Sequence, residues 1–393
     1  VSTALEVARL LSDHCQDEPA AIAALHGALE EGSSNADLRR ELAVRLRAQG
    51  NAAAAVEELQ EVLAQEPLLD EIWRELAITY QSTGRPREAR IATLPLRALG
   101  VDNEDDRERI AAVESRAGMV RPRSLRGSVL DQLGTSRESD AAAGALLSAL
   151  SPALTKLYPA ELESYGLATR DRLPTEANHP LREIANRIAA ALDIHNFDLF
   201  LHRVRNRAVT IEFGTHPAVL VPATIMEKDP STQAFMLARP MTHIARGYQA
   251  VEKLTPRELD VLLASAARLV KPDFGSGLTS AEFLNEQTRR LQRAIPRRDR
   301  KLVRDAALAY SEAGRVKFDR WVNAAQRTAT RVALLVCDDL DPFVQDVRSR
   351  IAPEREAEGA TFDTHPAYVD ALRFWASPAA MHLREHMGML LTR

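Results

Sequence analysis

Cysteine is almost absent from this chain, whose 393 residues include only Cys15 and Cys337. Neither belongs to a C-x-x-C pair, so a disulfide framework and a cysteine zinc site are both excluded. Cys337 ends an apolar run and is predicted to be a small buried hydrophobe. Aromatic residues make up only 5% of the chain. Ala, Leu and Arg dominate instead, and this bias favours helix.

Long apolar runs and common catalytic signatures are also missing. No stretch reaches the length needed to span a bilayer, and no signal peptide is visible, so we expect a cytoplasmic protein without a transmembrane segment. There is no P-loop, no dinucleotide glycine fingerprint and no G-x-S-x-G elbow, so we expect no cofactor. The acidic turn at 338–342 lacks calcium-loop spacing. In that turn, Asp341 is the predicted cap of a helix that starts at Pro342.

Charge is unevenly distributed along a chain whose formal net charge is only -4. Residues 1–118 contain 13 basic and 22 acidic residues, whereas the remainder has a basic excess. An acidic front and a basic back are able to attract different partners. Solvated helix faces explain the same pattern without any partner.

The first third of the chain is a repeat with a period of 34 residues, the distance between Gly50 and Gly84. Small residues let paired helices approach closely, large residues fill the groove to the next pair, and glycine permits the turn between them. The second repeat unit has Trp73, Leu76, Ala77, Tyr80, Gly84 and Ala89. The first has Arg39, Leu42, Ala43, Leu46, Gly50, Ala55, Leu59 and Pro67, and Ala21, Leu25 and Ala28 fit the second helix of a preceding unit.

These positions resemble the tetratricopeptide repeat (TPR) pattern W-x-x-L-G-x-x-Y followed by Gly and Ala. The resemblance implies stacked helical hairpins over residues 1–118, including a further helix at 102–117, with a concave groove for a peptide or partner protein. Trp73 and Tyr80 are predicted to lie in the core. The alternative is that the repeats only space or dock the domain that follows.

Downstream of the repeats, the pattern of residue types changes twice. Residues 119–177 read as a linker with packing helices, including one at 141–157. Residues 180–193 predict an amphipathic helix, and strands are predicted at 197–204, 208–213 and 218–225, with turns at Asn206 and at Gly214. A helix with Asp229 or Ser231 as its cap follows at 233–246. Further helices are predicted at 255–270, 279–294, 300–312, 314–340, 341–351 and 366–390.

A helix, a small strand cluster and a long helix resemble the catalytic domain of HtpX/Ste24-type zinc proteases over roughly 178–340. That family carries H-E-x-x-H on the long helix, and a later helix supplies the third ligand. In this chain the first His is replaced by Arg239 and the catalytic Glu by Pro240, and only His243 remains. In the later helix, Thr328 stands for the Glu ligand and Thr330 for the following Asp.

This resemblance implies a degenerate protease domain at 178–393 that does not bind zinc. A catalytic zinc needs three protein ligands, and its water needs a proton acceptor. Arg239 places a positive charge where the cation belongs, and Pro240 removes a backbone donor and tends to kink the helix. Large repeat proteins associated with bacterial gliding motility look similar in joining TPR units to such a domain.

A second metal motif competes with this interpretation. Residues 382–386 spell H-x-x-E-H, in which His382 and His386 are spaced to share one metal and Glu385 is a proton acceptor. His365 is a conceivable third ligand. A surface histidine pair on a terminal packing helix is the simpler explanation of the motif.

A basic cluster lies between two predicted helices and offers a contact for phosphate or an acidic protein face. No aromatic residues interleave for base stacking, which argues against nucleic acid. Solvated helix faces around Pro296 are the alternative. The cluster comprises Arg289, Arg290, Arg293, Arg297, Arg298, Arg300, Lys301 and Arg304.

The sequence therefore predicts a mainly α protein, with a TPR stack followed by an α+β protease-like domain that has a small three-stranded sheet. The expected function is a non-catalytic scaffold for protein–protein interaction within a larger bacterial assembly. If an open strand edge persists at 197–226, it offers a second place for an extended peptide. A zinc peptidase using His382, Glu385 and His386, or a regulator of an active protease, is the alternative.

Overall fold

The structure, a computed structural model, describes residues 2–30, 35–134, 138–204, 208–350 and 365–390. These residues are mainly α-helical and carry one small three-stranded sheet, so the predicted fold class is confirmed. They form two compact units, Val1–Arg116 with Asp338–Arg393, and Ala117–Cys337. The turn predicted at Asn206 lies outside the described residues.

In the first unit, helices recur at intervals of 34 residues. One set begins at residues 2, 36, 70 and 104, and the helices paired with them begin at 18, 52 and 86. These helices are α1 (Ser2–Asp13), α2 (Glu18–Glu30), α3 (Ala36–Ala48), α4 (Ala52–Gln65), α5 (Asp70–Ser82), α6 (Pro86–Leu99) and α7 (Glu104–Ala111). Each of the helices α1 to α6 packs most closely on its partner in the pair and next on the neighbouring pair, and α7 packs on α6. The predicted period is therefore present in the backbone.

The turns inside the pairs explain the two repeat glycines. Gly50 and Gly84 have φ angles of 81° and 70°, in the left-handed region that glycine enters without a steric cost. The equivalent position in the pair α1–α2 is Gln16, which adopts a φ of 54° despite its side chain. The backbone at this place therefore keeps a positive φ although the residue is not glycine.

The large residues of the repeat pattern form its core, as predicted. Trp73 and Tyr80 are both buried. The Trp73 Nε1 donates a hydrogen bond of 2.8 Å to the carbonyl oxygen of Pro67. This contact ties α5 to the loop that precedes it, so Trp73 serves packing and not ligand contact. The smaller positions Leu76, Ala77, Ala89 and Ala55 are also fully buried.

The C-terminal helices belong to the first unit. The sequence instead predicts them as part of the protease-like domain at 178–393. They are α16 (Asp341–Arg350), α17 (Pro366–Trp375) and α18 (Pro378–His386). The Trp375 Nε1 donates to the Ile91 carbonyl at 2.7 Å, and the Gln60 Nε2 donates to the Ala376 carbonyl at 2.7 Å. The repeat residues in these two hydrogen bonds, Ile91 on α6 and Gln60 on α4, each lie on the second helix of their pair. Sequence periodicity carries no signal for such long-range packing.

Several helix limits differ from the predictions for local reasons. The helix expected at 102–117 ends at Ala111, and the Arg116 amide donates to the Asp338 carboxylate at 2.9 Å. The helix expected at 366–390 is interrupted where Ser377 caps a new helix that begins at Pro378. Helix α16 begins at Asp341, one residue before the predicted start at Pro342, and the Asp341 amide donates to the Asp339 side chain at 3.1 Å.

The second unit contains eight α-helices among its described residues, and the sheet. The stretch expected to be an irregular linker includes one short helix, α8. The helices are α8 (Ser128–Gln132), α9 (Glu138–Leu157), α10 (Pro180–Ala191), α11 (Pro230–Arg246), α12 (Pro256–Ala267), α13 (Ala281–Ala294), α14 (Arg300–Ala313) and α15 (Phe318–Cys337). The strands are β1 (Asp198–His202), β2 (Thr210–Glu212) and β3 (Ala218–Pro222).

The sheet has the order β1–β3–β2, with β1 parallel and β2 antiparallel to the central strand. The outer edge of β1 is partly occupied by the chain itself, because the Leu173 amide donates to the Leu199 carbonyl at 2.8 Å. The other outer strand, β2, has only three residues. Of the two edges considered for an extended peptide, the β2 edge is therefore short and the β1 edge is partly occupied.

The long helix α11 packs against α15 more extensively than any other described pair of elements in this unit. Asp229 caps α11 by accepting the Thr232 amide at 3.0 Å, which confirms one of the two predicted caps. Pro240 lies inside α11 without ending it. The helix therefore continues through Pro240, and the two segments compared with the protease motif lie on neighbouring helices.

Candidate functional site

The four positions that the protease resemblance assigns to the zinc site lie on α11 and α15 in different surroundings. Pro240, His243 and Thr328 are buried, whereas Arg239 is partly exposed with its Cζ 5.9 Å from the Phe235 ring centroid. The His243 Nε2 lies 3.2 Å from a carboxylate oxygen of Glu252. One imidazole nitrogen is thus engaged by a carboxylate of the same unit.

The described residues include no group of three or more His, Cys, Asp or Glu side chains that could hold a metal ion. Arg239 and Pro240 offer no ligand, since a guanidinium is a fixed cation and proline has no donor side chain. Thr328 uses its hydroxyl to donate 3.0 Å to the Ala324 carbonyl. The positions that the resemblance assigns to zinc therefore carry other contacts.

A cavity of about 580 Å³ opens beside Thr328. Its α9 wall consists of Ala141, Gly144, Ala145 and Ser148, which share one helix face. The opposite side is formed by the α15 residues Trp321, Ala324, Ala325 and Thr328, and Ala245, Arg246 and Tyr248 close the end. The space depends on small side chains, because two helices lined with larger residues would fill it.

The polar groups of this cavity are few. The Arg246 guanidinium lies 3.5 Å from the Tyr248 hydroxyl and 3.9 Å from the Asp131 carboxylate, and it stacks over the Tyr248 ring at 4.7 Å. Burial raises the pKa of the Tyr248 phenol, and the nearby Arg246 opposes that rise. The described lining residues include Asp131, Asp140, Ser148 and Tyr248 but no His, Cys or Glu.

The H-x-x-E-H segment forms the end of α18, and its His and Glu side chains lie on the face opposite the buried residues of that helix. Ala380, Met381, Leu383 and Arg384 are buried, while His382, Glu385 and His386 are exposed. Arg384 is the anchor of this helix, because its guanidinium stacks on the Trp375 ring at 4.2 Å. The proposed third ligand, His365, instead accepts the Ala367 amide at 3.3 Å as the cap of α17.

The first helices of the repeats present a feature that the sequence reading missed. Leu10, Val44 and Ile78 are spaced by 34 residues and occupy the same place on α1, α3 and α5. Leu10 is 54% exposed and Ile78 37% exposed, and Val44 is partly exposed. On each helix this position faces away from the buried residues. We call these three residues the apolar stripe.

Polar neighbours hold the apolar stripe in place. The Arg47 guanidinium on α3 donates to the Glu75 carboxylate at 2.8 Å and to the Thr79 hydroxyl at 3.2 Å, both on α5. Arg40 and Arg74 form a second 34-residue pair one turn before Val44 and Ile78. Arg74 forms an ion pair with Asp106 of α7. These contacts link successive first helices, so the stripe belongs to an ordered face.

The signal for this face was available in the sequence. Aligning the units at the 34-residue period places an aliphatic residue at one further position of each first helix, next to the core pattern. Sequence alone does not say whether that residue is buried, and most aliphatic residues at helical spacing belong to a core. The exposure in the folded structure is what separates this position from Leu42 and Leu76, which are fully buried.

Comparisons with known proteins return no relative. No protein-family model matches the chain, no curated protein matches it, and no solved structure matches it. No described helix is both long and apolar enough to cross a membrane.

Proposed function

We propose that this chain is a non-catalytic scaffold in which TPR-type repeats bind a peptide or partner protein. The apolar stripe carries the proposal. Solvent-exposed aliphatic residues recurring at one position of successive repeats are costly for a protein that binds nothing there, whereas scattered single residues need no explanation. The degenerate protease-like domain serves as a second docking surface within a larger bacterial assembly.

The position of the C-terminal helices supports this assignment. The hydrogen bonds between the C-terminal helices and the repeats go to the second helix of a pair, as at Gln60 on α4 and Ile91 on α6. The first helices, which carry the apolar stripe, keep Leu10 and Ile78 exposed to solvent. A partner therefore finds the stripe accessible without displacing a described segment of the chain.

The spacing of the stripe limits the partner. Adjacent packed helices lie about 8–10 Å apart, so successive stripe residues should recur at about that distance. A polyproline II segment returns a side chain to the same face every third residue, after about 9 Å. A helix does so every seventh residue, after about 10 Å. The proposed ligand is a peptide with apolar side chains at one of these two spacings.

A displayed peptide library screened on the full chain tests the proposal, followed by affinity measurements on the enriched peptides. Ile78→Asp should weaken binding by tenfold or more, because a buried carboxylate would replace an apolar contact. Val101→Asp is the matched control, since Val101 is a 44% exposed valine of the same unit outside the stripe. Absence of enriched apolar spacing, or equal losses in both variants, would remove the basis of the proposal.

A further inference from the structure

The end of α13, the start of α14 and the connection between them carry more positive charge than any other segment of this length in the chain. The segment 289–304, called the basic apex below, contains eight basic residues and a single acidic one, Asp299, although the whole chain has a net charge of -4. All eight basic side chains are exposed. They are Arg289, Arg290, Arg293, Arg297, Arg298, Arg300, Lys301 and Arg304.

The fold brings these cations to one corner. The short 3₁₀ helix Arg297–Asp299 joins the last turns of α13 to the first turns of α14. Since an α-helix rises 1.5 Å per residue, every basic residue of the apex is anchored within about 8 Å of this connection along its helix. Both helices pack on α9 and α12. The connection between α13 and α14 is therefore held in place by packing on α9 and α12.

Few carboxylates neutralise the basic apex. Within the described residues, Arg298 is the one member that pairs with an acid, and its Nε lies 3.5 Å from the Asp299 carboxylate. Arg290 donates to the Leu157 carbonyl at 3.2 Å, and Arg289 donates to the Asn285 carbonyl at 3.3 Å. Like charges held close together repel one another, and an anion that binds among them relieves this repulsion.

An apolar side chain lies among these cations. Leu302, in the first turn of α14, is 60% exposed and is the most exposed large hydrophobic residue of the described chain. Its neighbours Lys301 and Arg304 are both exposed. Nucleic acid gains little from a leucine, and the basic apex has no aromatic residue for base stacking. An anionic lipid bilayer binds both the cations and the leucine, because cations pair with headgroups while apolar side chains enter the interface.

We propose that the basic apex docks the protein peripherally on an anionic lipid surface. The Arg and Lys side chains contact headgroup phosphates, and Leu302 inserts at the level of the acyl boundary. This surface is separate from the apolar stripe, so the proposal does not depend on the scaffold function. It assigns the cluster to a lipid surface in preference to nucleic acid or an acidic protein.

Vesicle flotation with the full chain tests the proposal, using phosphatidylcholine alone and the same lipid with added phosphatidylglycerol. The protein should float only with the anionic vesicles, and less as salt is raised. Replacing Arg297, Arg298 and Arg300 together by Gln should lower the partition about a hundredfold, since each cation contributes about fivefold. The matched control replaces Arg170, Arg257 and Arg320 by Gln, which removes equal charge from exposed sites of the same unit.

Leu302→Ser separates a lipid surface from other polyanions. At constant charge it should lower the vesicle partition about fivefold, whereas Leu68→Ser, at a 38% exposed site in the first unit, should not. Equal flotation with neutral vesicles, or an equal loss in the control triple variant, overturns the proposal. Tighter binding to a single-stranded oligonucleotide than to vesicles, unaffected by Leu302→Ser, also overturns it.

Discussion

The Arg90 guanidinium holds both the side chain and the backbone of Asp338, at 3.2 Å from the carboxylate and 3.0 Å from the carbonyl oxygen. Arg87 reaches the same carboxylate at 3.2 Å, and Asp338 is fully buried. Burial lowers the pKa of Arg87, and the Asp338 charge opposes this effect. This cluster joins α6 to the start of the C-terminal segment, within the first unit.

We expect Asp338→Ala to lower the free energy of unfolding by about 3–5 kcal/mol, because two buried guanidinium groups would lose their shared counter-charge. Urea unfolding followed by circular dichroism measures the change. Asp131→Ala is the control, since the Asp131 side chain is 75% exposed and the expected change is below about 0.5 kcal/mol. Similar small losses in both variants would show that the Asp338 cluster contributes little.

Gln16 occupies the turn position at which Gly50 and Gly84 stand in the other pairs. A side chain in the left-handed region costs about 1 kcal/mol, and Gln16 is exposed, so it has little packing to lose. Gln16→Gly should therefore raise the stability by up to about 1 kcal/mol, and Gly50→Ala should lower it by about the same amount. Thermal unfolding of the two variants tests this, and a loss of stability in Gln16→Gly would contradict the equivalence of the turns.

Local patterns predicted more of this molecule than long-range contacts did. The 34-residue period, the three strands and the Asp229 cap follow from residue types at fixed spacings, which the backbone obeys directly. The attachment of α17 through Trp375 does not, because its acceptor at Ile91 lies 284 residues away. The candidate sites divide in the same way. The core role of Trp73 was predictable, whereas the exposure of Ile78 and the cavity beside Thr328 depend on which neighbours the fold supplies.

The resemblance to zinc proteases makes a prediction about gain of metal binding. Arg239→His, Pro240→Glu and Thr328→Glu together would restore H-E-x-x-H and the third ligand of that pattern beside His243. Thr328 borders the cavity, which offers room for the longer carboxylate. We expect the purified triple variant to retain equimolar zinc after dialysis, measured by plasma mass spectrometry, and the original chain to retain none.

The control for this experiment is the triple variant with His243→Ala added, which should lose the zinc because two protein ligands hold it too weakly. Circular dichroism must show that both variants fold. A folded triple variant without zinc would show that α11 and α15 do not align with the protease motif, and zinc in the original chain would contradict the proposed loss of the site.

Gly144 sets the distance between α9 and the turn that carries Tyr248. A Cβ added at Gly144 would lie 2.0 Å from the Tyr248 hydroxyl, and that ring is held between Arg246 and Trp321, with a centroid separation of 5.2 Å to the tryptophan. Gly144→Ala should therefore destabilise the protein by about 1–3 kcal/mol despite the better helix propensity of alanine. Gly27 is the matched control, a helical glycine with open space around it, where the same substitution should stabilise by about 0.5–1 kcal/mol. Denaturant unfolding gives the sign of the change in the free energy of unfolding for each variant. Stabilisation by both substitutions would mean that Tyr248 moves away from the added Cβ without a cost.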